Sequence, residues 1–183
     1  MLDVSREVAF ARSAFRWRGN VRPDFAHAEA DGEESVWDYP RPPVAMPEWR
    51  LVQVYADRRL IADTEQAVRV LETGNPPVLF LPPDDVEWEW LVDSGVTTDS
   101  IWIGRGTWYD LAIDGERIER VAWSYQRVYP EYSDLQGWVA FHPARLHCVL
   151  DGESVYPQQG ELGGWITRGV IGPFKGGPGT DDW

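Results

Sequence analysis

Three side chains of the sequence, Glu72, His142 and Tyr125, are candidates for moving a proton in a reaction. Glu72 ends a short apolar segment, where a carboxylate can orient a ligand, or act as a base if burial raises its pKa. The alternative is a structural role, in which Glu72 pairs with Arg105 or Arg69 or caps the turn that follows it. His142 is expected near the opening of a sheet as a single acid or base.

An excess of aromatic side chains is the most unusual feature of the composition, with eleven tryptophans, seven tyrosines and six phenylalanines. An indole buries a large area but carries an N–H that needs a partner, so tryptophan favours half-buried walls. Trp123 and Tyr125 share a strand face by period two, and Trp108 lies on the strand that precedes theirs. Such rings form either the wall of an apolar pocket or the core between two sheets. The candidates for a wall are Trp102, Trp108, Tyr109, Trp123, Tyr125 and Trp138.

His142, His147 and Cys148 resemble a set of metal ligands at first sight. Adjacent residues of a strand point to opposite faces, so His147 and Cys148 cannot both coordinate one ion without a bulge. A further ligand is not visible nearby in the sequence. We therefore expect neither a metal site nor a cofactor.

Glu87 and Glu89 are two residues apart, as paired carboxylates of glycosidases can be. Residues 86–92 alternate between apolar and acidic, which predicts a strand whose acidic face is solvated. We therefore interpret the two acids as surface residues.

The glycine-rich end, residues 172–180, resembles a phosphate-binding loop only superficially. It lacks a lysine followed by a hydroxyl residue, which that mechanism requires. An anion held by Lys175 among backbone amides is the weaker alternative. The sequence also lacks a nucleophile elbow and a dinucleotide fingerprint.

These candidates must be positioned mainly by strands. Apolar residues alternate through much of residues 49–156, and short strands are predicted at 68–72 and 78–81. Asp114-Gly115 and Asp151-Gly152 each lie between apolar runs, which is the signal of a tight two-residue hairpin turn. A helix-like turn is predicted at residues 131–138.

The chain is divided into three zones. Residues 1–47 form an N-terminal arm that contains a possible short amphipathic helix at 5–17 and an extended proline-rich segment at 37–43. Residues 48–156 form a β domain. Residues 157–183 form a Gly/Pro-rich arm whose large apolar side chains should pack on that domain.

Charge and composition exclude several classes of function. Thirty acids against seventeen bases give a net charge of −13, which leaves no basic surface for a nucleic acid. No apolar run approaches 18 residues, so a membrane partner is not expected either. No secretory signal is visible, and the single cysteine, Cys148, fits the cytoplasm.

Several motifs in order resemble the bacterial domain of unknown function 427 family. They lie at residues 69–77, 81–86, 107–109, 121–125, 139–143, 163–167 and 172–179, so the resemblance covers about residues 37–183. It implies a mainly β, compact two-sheet domain of the β-tent (Mss4-like) group, with irregular arms and one or two short helices. Proteins of that shape hold small molecules or protein segments between their sheets, some of them in an aromatic cage.

The sequence departs from the family pattern where chemistry is expected. The family usually has histidine, cysteine and lysine at the positions of Asn75, Ser100 and Ile103. A family reaction that depends on those residues is not expected in this chain.

We expect a binding module in which an aromatic pocket between the sheets holds a small, partly apolar ligand. Its wall comprises Trp102, Trp108, Tyr109, Trp123 and Tyr125, with Glu72 and Arg105 as polar handles. The alternative is a small-molecule hydrolase, cyclase or isomerase that uses Glu72, His142 or Tyr125. A weaker alternative is a scaffold that binds a protein through its aromatic arms. The oligomeric state stays open.

Overall fold

The computed structural model describes residues 1–180 and 183 and is mainly β, as predicted. Its α-helix is α1 (Arg6–Ser13), and short 3-10 helices lie at Pro83–Asp85, Trp88–Trp90 and Pro130–Leu135. The strands are β1 Glu34–Ser35, β2 Val44–Glu48, β3 Val52–Ala56, β4 Arg59–Thr64, β5 Ala67–Leu71, β6 Val78–Leu81, β7 Leu91–Ser100, β8 Gly104–Ile113, β9 Glu116–Val128, β10 Val139–Phe141, β11 His147–Leu150, β12 Glu153–Ser154, β13 Tyr156–Pro157, β14 Trp165–Ile166 and β15 Val170–Ile171.

Two antiparallel sheets form the body of the protein. The large sheet has seven strands in the order β2-β5-β6-β10-β9-β8-β7, and the small sheet has four in the order β12-β11-β3-β4. The short strands form two further two-stranded sheets, β1-β15 and β13-β14. No helix within the described residues has the length and apolarity that a membrane crossing requires.

The large sheet is apolar on both faces. Leu79 and Leu81 of β6 belong to the core that it shares with the small sheet, together with Val52, Ile61 and Cys148. The alternate side chains of β6 face the other way, and Phe80 of β6 joins a second buried cluster that includes Trp102, Trp123 and Tyr125. Because side chains alternate along a strand, the second cluster lies on the outer face, away from the small sheet.

Both Asp-Gly hairpins are confirmed. Asp114 and Gly115 connect β8 to β9 with φ of 51° and 84°, and Asp151 and Gly152 connect β11 to β12 with φ of 51° and 78°. Positive φ at both central residues defines the type I′ turn, whose twist matches that of the flanking strands. The predicted helix-like turn at 131–138 also exists, as the 3-10 helix Pro130–Leu135.

The predicted strand at residues 86–92 is wrong. Val86 forms a bridge with Ala62 of the small sheet, whereas β7 of the large sheet begins only at Leu91. The chain therefore changes sheets within this segment, and it does so through the 3-10 helix Trp88–Trp90. Glu87 and Glu89 are exposed, but Trp88 is exposed with them rather than buried opposite them.

The predicted extended conformation of residues 37–43 is wrong as well. The N–H of Asp38 donates to the carbonyl of Ser35 at 3.1 Å, which closes a turn around the buried Val36 and Trp37. Bends follow this turn as far as residue 42. The chain turns here because Trp37 is buried. The bends that follow place the side chain of Arg41 against Glu72, which directly follows β5.

The predicted N-terminal helix is shorter than residues 5–17. Ser5 caps it by accepting a hydrogen bond from the N–H of Val8 at 3.3 Å. No residue of α1 is fully buried, and Phe10 is 76% exposed. Arg12 attaches the helix to the turn between β7 and β8, because its guanidinium donates to the carbonyls of Ile101 and Trp102 at 2.7 and 3.1 Å.

The residues after β13 also pack on the sheets. Trp165 is 1% exposed, and its indole N–H donates to the carbonyl of Phe141 at 3.1 Å. A separate aromatic cluster packs edge to face or stacked, with ring centroids 4.8 to 6.1 Å apart. Its members are Trp17, Phe25, Trp37 and Trp183. The aromatic side chains of the two terminal zones therefore contact one another.

Candidate functional site

A cavity of about 390 Å³ lies on the outer face of the large sheet. Its floor is formed by β5 to β9, and its cover is formed by Phe15 from the N-terminal zone and by Gln158, Leu162 and Lys175 from the C-terminal zone. Leu162 is 44% exposed, so the cavity reaches the surface there. The predicted location between the two sheets is wrong, because apolar side chains from both sheets fill that space.

The wall of the cavity combines twelve apolar residues with nine polar ones. The apolar members are Phe15, Pro43, Val70, Pro76, Val78, Phe80, Ile101, Trp102, Ile103, Trp108, Trp123 and Leu162. The polar members are Glu72, Asn75, Thr98, Asp99, Ser100, Tyr125, Gln158, Glu161 and Lys175. Ligand sites commonly combine a mainly apolar wall with polar groups that orient the ligand.

Glu72 enters the cavity from a tight turn directly after β5. The N–H of Asn75 donates to the carbonyl of Glu72 at 3.0 Å, and Gly74 has a φ of 81°. A type II turn needs such a positive φ at its third residue, which glycine supplies without strain. The turn thus places the side chains of Glu72 and Asn75 at one end of the cavity.

The Glu72 carboxylate is held by two donors on the same oxygen. Oε1 accepts a hydrogen bond from Nε of Arg41 at 2.9 Å and another from Nε1 of Trp102 at 3.1 Å. The side chain is 24% exposed. Burial raises the pKa of Glu72, while the charges of Arg41 and Lys175 and the hydrogen bonds from Arg41 and Trp102 oppose that rise. The carboxylate is therefore fixed in direction by its partners.

Arg41 is a site residue that the sequence analysis missed. Its side chain is fully buried and also donates to the carbonyls of Trp17 and Thr73, at 3.0 and 2.7 Å. The guanidinium lies 4.0 Å from the ring centroid of Phe15, and burial lowers the pKa of Arg41. A lone arginine amid prolines and aromatic residues was the available signal, since a buried guanidinium needs an acidic partner.

The predicted partners of Glu72 are wrong. Arg105 donates to Asp99 at 2.6 Å, its side chain is 58% exposed, and it lies outside the cavity. Arg69 pairs instead with Glu34 at 2.6 Å. The sequence does not indicate which arginine pairs with Glu72, because the pairing depends on the bends at residues 38–42 that bring Arg41 close to Glu72.

Asn75 is connected to the C-terminal zone through a buried glutamine. Nε2 of Gln158 donates to Oδ1 of Asn75 at 2.9 Å and to the carbonyl of Lys175 at 2.8 Å, and its Oε1 accepts from the N–H of Gly164 at 3.1 Å. This network fixes the cover of the cavity to its floor. Lys175 Nζ donates to the carbonyl of Trp183 at 2.9 Å.

The three residues that we expect to depart from the family pattern all lie in the cavity wall. Asn75, Ser100 and Ile103 are separated by up to 28 positions in the sequence, yet each lines the same space. Ser100 Oγ accepts hydrogen bonds from the N–H groups of Trp102 and Ile103 at 3.2 and 3.1 Å, which shapes the turn after β7.

Trp108, Trp123 and Tyr125 project together from β8 and β9, as their spacing predicts. The rings of Trp108 and Trp123 have centroids 4.9 Å apart, and Phe80 meets Trp123 at 6.3 Å in an edge-to-face contact. A Cβ at Gly163 would come within 2.3 Å of the Trp123 ring, so only glycine allows the C-terminal zone to pass over it. Burial raises the pKa of Tyr125 to about 12.

Three other candidates lie outside the cavity. Tyr109 follows Trp108 in β8 and so faces the opposite way, where its ring contacts Trp88 at 5.4 Å. Trp138 is half-buried within the outer cluster but does not reach the cavity. His142 is 1% exposed and lies behind the wall, with its ring centroid 6.4 Å from those of Trp108 and Trp123.

The surroundings of His142 favour the neutral form of its ring. Its Nδ1 accepts a hydrogen bond from the N–H of Ala144 at 3.2 Å, and burial followed by the charge of Arg145 lowers its pKa. Its Nε2 is buried and has no partner within the part of the chain that the structure describes. The predicted location at a sheet opening is therefore wrong, because His142 is enclosed.

The residues considered as metal ligands are dispersed. Cys148 lies in the core between the sheets, where burial raises its pKa, whereas His147 is exposed and contacts Ser154 at 3.1 Å. The described residues contain no group of three or more histidine, cysteine or acidic side chains that could hold a metal ion.

A family model described as a domain of unknown function (DUF427) matches residues 44–152. The matched span begins with β2 and ends in the turn after β11, so it contains the large sheet, three of the four strands of the small sheet, Glu72 and most of the cavity floor. No match to a curated protein was found. Because the matched span is more than half of the 183 residues, the chain belongs to the domain of unknown function 427 family.

Proposed function

We propose that this protein binds a small, partly apolar ligand that contains a ring, in the cavity on the outer face of its large sheet. The supporting observation is a space of about 390 Å³ that is walled by Phe80, Trp108 and Trp123 and contains the Glu72 carboxylate, which Arg41 and Trp102 hold in place. Pockets for small molecules commonly measure about 300–1,000 Å³ and combine apolar walls with a few polar groups.

The location of Asn75, Ser100 and Ile103 in the same wall supports this proposal. A change of three wall residues alters the shape and polarity of one cavity and leaves the folding core between the sheets intact. Such a pattern is expected when members of one family bind different ligands.

The contacts favour binding over catalysis. Glu72 is tied to Arg41 and Trp102, the pKa of Tyr125 is raised to about 12, and His142 is enclosed behind the wall. A general acid or base works best with a pKa near the operating pH and within reach of the substrate. The scaffold alternative is weakened because the aromatic residues of the two terminal zones contact one another.

A nucleic acid or a membrane is not among the partners we propose, given the net charge of −13. The cytoplasm is the proposed location, because the single cysteine, Cys148, is buried in the core as a thiol.

The proposal is tested by screening ring-containing small molecules with two-dimensional NMR on the full chain. Binders are expected to shift resonances of Trp108, Trp123 and Val78, which line the cavity. Val78→Phe should fill the space and abolish binding, whereas Val92→Phe, at a position 42% exposed on β7, should leave it unchanged. Binding that survives Val78→Phe with shifts elsewhere would place the ligand outside this cavity and contradict the proposal.

A further inference from the structure

We propose that the ligand is a neutral, planar nitrogen heterocycle whose ring N–H donates a hydrogen bond to Oε2 of Glu72. This inference rests on the function proposed above and adds the chemistry of the ligand. It is drawn from the hydrogen bonds that Glu72 makes and from the charges and rings that surround it.

One oxygen of the Glu72 carboxylate, Oε2, is available to accept a hydrogen bond from a ligand. Both of its donors, Arg41 Nε and Trp102 Nε1, contact Oε1, and Oε2 accepts no hydrogen bond from any residue that the structure describes. Oε2 is accessible rather than buried without a partner, and the Glu72 side chain as a whole is 24% exposed. Since Glu72 lines the cavity, a bound molecule reaches Oε2 from there. A carboxylate oxygen accepts hydrogen bonds and cannot donate them, so its ligand must supply the hydrogen.

The surrounding charges favour a neutral donor. Arg41 lies 2.9 Å from the Glu72 carboxylate, and the positive charge of Lys175 also acts on it. The Arg41–Glu72 pair therefore has no net charge with which to attract a cationic ligand, and the other acids of the wall, Asp99 and Glu161, pair with Arg105 and Arg145 at 2.6 and 2.9 Å. An anionic ligand would place its charge against Oε2 and against the negative faces of the aromatic rings. A neutral N–H group needs no such attraction and avoids this repulsion.

The ring walls favour a planar molecule. Trp108 and Trp123 pack with centroids 4.9 Å apart, and Phe80 and Tyr125 lie beside them at 6.1 Å from each other. Flat rings pack against such walls in stacked or edge-to-face arrangements. A planar heterocycle therefore buries its faces while its N–H points along the ring plane toward the carboxylate.

The test compares two probes of nearly equal shape, indole and benzofuran, by titration of the full chain. Indole carries a ring N–H where benzofuran carries an oxygen. We expect indole to bind at least about tenfold more tightly, as a hydrogen bond to a charged group typically provides. Indole-3-carboxylate and tryptamine add a charge of either sign, and both should bind more weakly than indole. Tighter binding of either charged probe would overturn the neutral assignment.

Glu72→Gln separates the hydrogen bond from the cavity. The glutamine can keep an oxygen toward Arg41 and presents an N–H₂ group in place of Oε2, so the preference for indole should fall to about onefold. Glu48→Gln is the matched control, because Glu48 is also a largely buried carboxylate paired with an arginine, Arg50 at 2.7 Å, but it lies outside the cavity. This variant should keep the preference.

A measurement on the unaltered protein covers the case in which Glu72→Gln fails to fold. The side-chain carboxylate ¹³C resonance of Glu72 should shift on adding indole and not on adding benzofuran. Equal binding of the two probes, or equal shifts, would overturn the inference while the proposed function stands. Absence of binding by every ring probe would overturn both.

Discussion

Nε of Arg41 donates to Oε1 of Glu72 at 2.9 Å, and this contact joins the N-terminal zone to the end of β5. The Arg41 side chain is fully buried, whereas Glu72 retains 24% exposure on the cavity side. The pair thus lies between the packed interior and the proposed binding site. Its loss should affect stability and ligand affinity together.

Arg41→Met should lower the free energy of unfolding by about 3 kcal/mol, because it leaves the Glu72 carboxylate desolvated without its cation. Urea denaturation followed by tryptophan fluorescence measures the change. The double variant Arg41→Met/Glu72→Leu should cost less than the sum of the two single changes, since it removes both charges. Strict additivity would show that the two side chains do not interact energetically.

The stability of the protein should fall on mild acidification through His142. Its folded-state pKa is lowered by burial, so the unfolded chain binds a proton more readily below its ordinary pKa of about 6.5. The free energy of unfolding should therefore decrease between pH 7.5 and pH 5.5.

His142→Asn is the control for this pH effect, because the asparagine oxygen can still accept the N–H of Ala144 but does not titrate. Arg145, Glu161 and Arg120 act on the same ring and stay in place in the variant. The decrease with pH should be smaller in the variant. An equal decrease in both proteins would assign it to other groups.

Gly115→Ala should destabilise the β8–β9 hairpin. Gly115 has a φ of 84°, a region that costs a residue with a Cβ about 1–2 kcal/mol. Gly169→Ala is the matched control, since a Cβ there meets nothing within 4 Å and its backbone lies outside the positive-φ range. The midpoint of thermal unfolding of the two variants gives the comparison. Equal midpoints would contradict the assignment of a type I′ turn.

Trp165→Ala should lower the free energy of unfolding by about 3–5 kcal/mol, because it empties a buried site and leaves the Phe141 carbonyl without its donor. Trp49→Ala removes an equal ring at a position 74% exposed and should change stability by less than about 0.5 kcal/mol. Chemical denaturation of both variants distinguishes a C-terminal zone that stabilises the fold from one that merely lies on it.

Local patterns in the sequence predicted the parts of the fold that local interactions determine. The Asp-Gly turns and the strands β5 and β6 depend on residues close together in the chain, and they are confirmed. The segment at 86–92 alternates like a strand, yet the change of sheet between Val86 and Leu91 breaks it. A pattern of alternation carries no information on which sheet a segment joins.

The site was harder to predict because the large sheet is apolar on both faces. Leu79 and Phe80 are both buried, one toward the small sheet and the other toward the cavity. Alternation therefore grouped Trp123 with Tyr125 correctly but could not tell which face would enclose a space. The Arg41–Glu72 pair spans 31 positions and depends on the bends before Pro43, so its partners could not be assigned from spacing.

The cover of the cavity has a consequence for how a guest molecule would enter and leave. Phe15 follows α1 and Gln158 follows β13, so both cover residues lie outside the two main sheets. Hydrogen bonds of Arg12 to Ile101 and Trp102, and of Gln158 to Asn75, hold this cover against the large sheet. Exchange of the proposed ligand should therefore require local opening of the two terminal zones rather than unfolding of the large sheet.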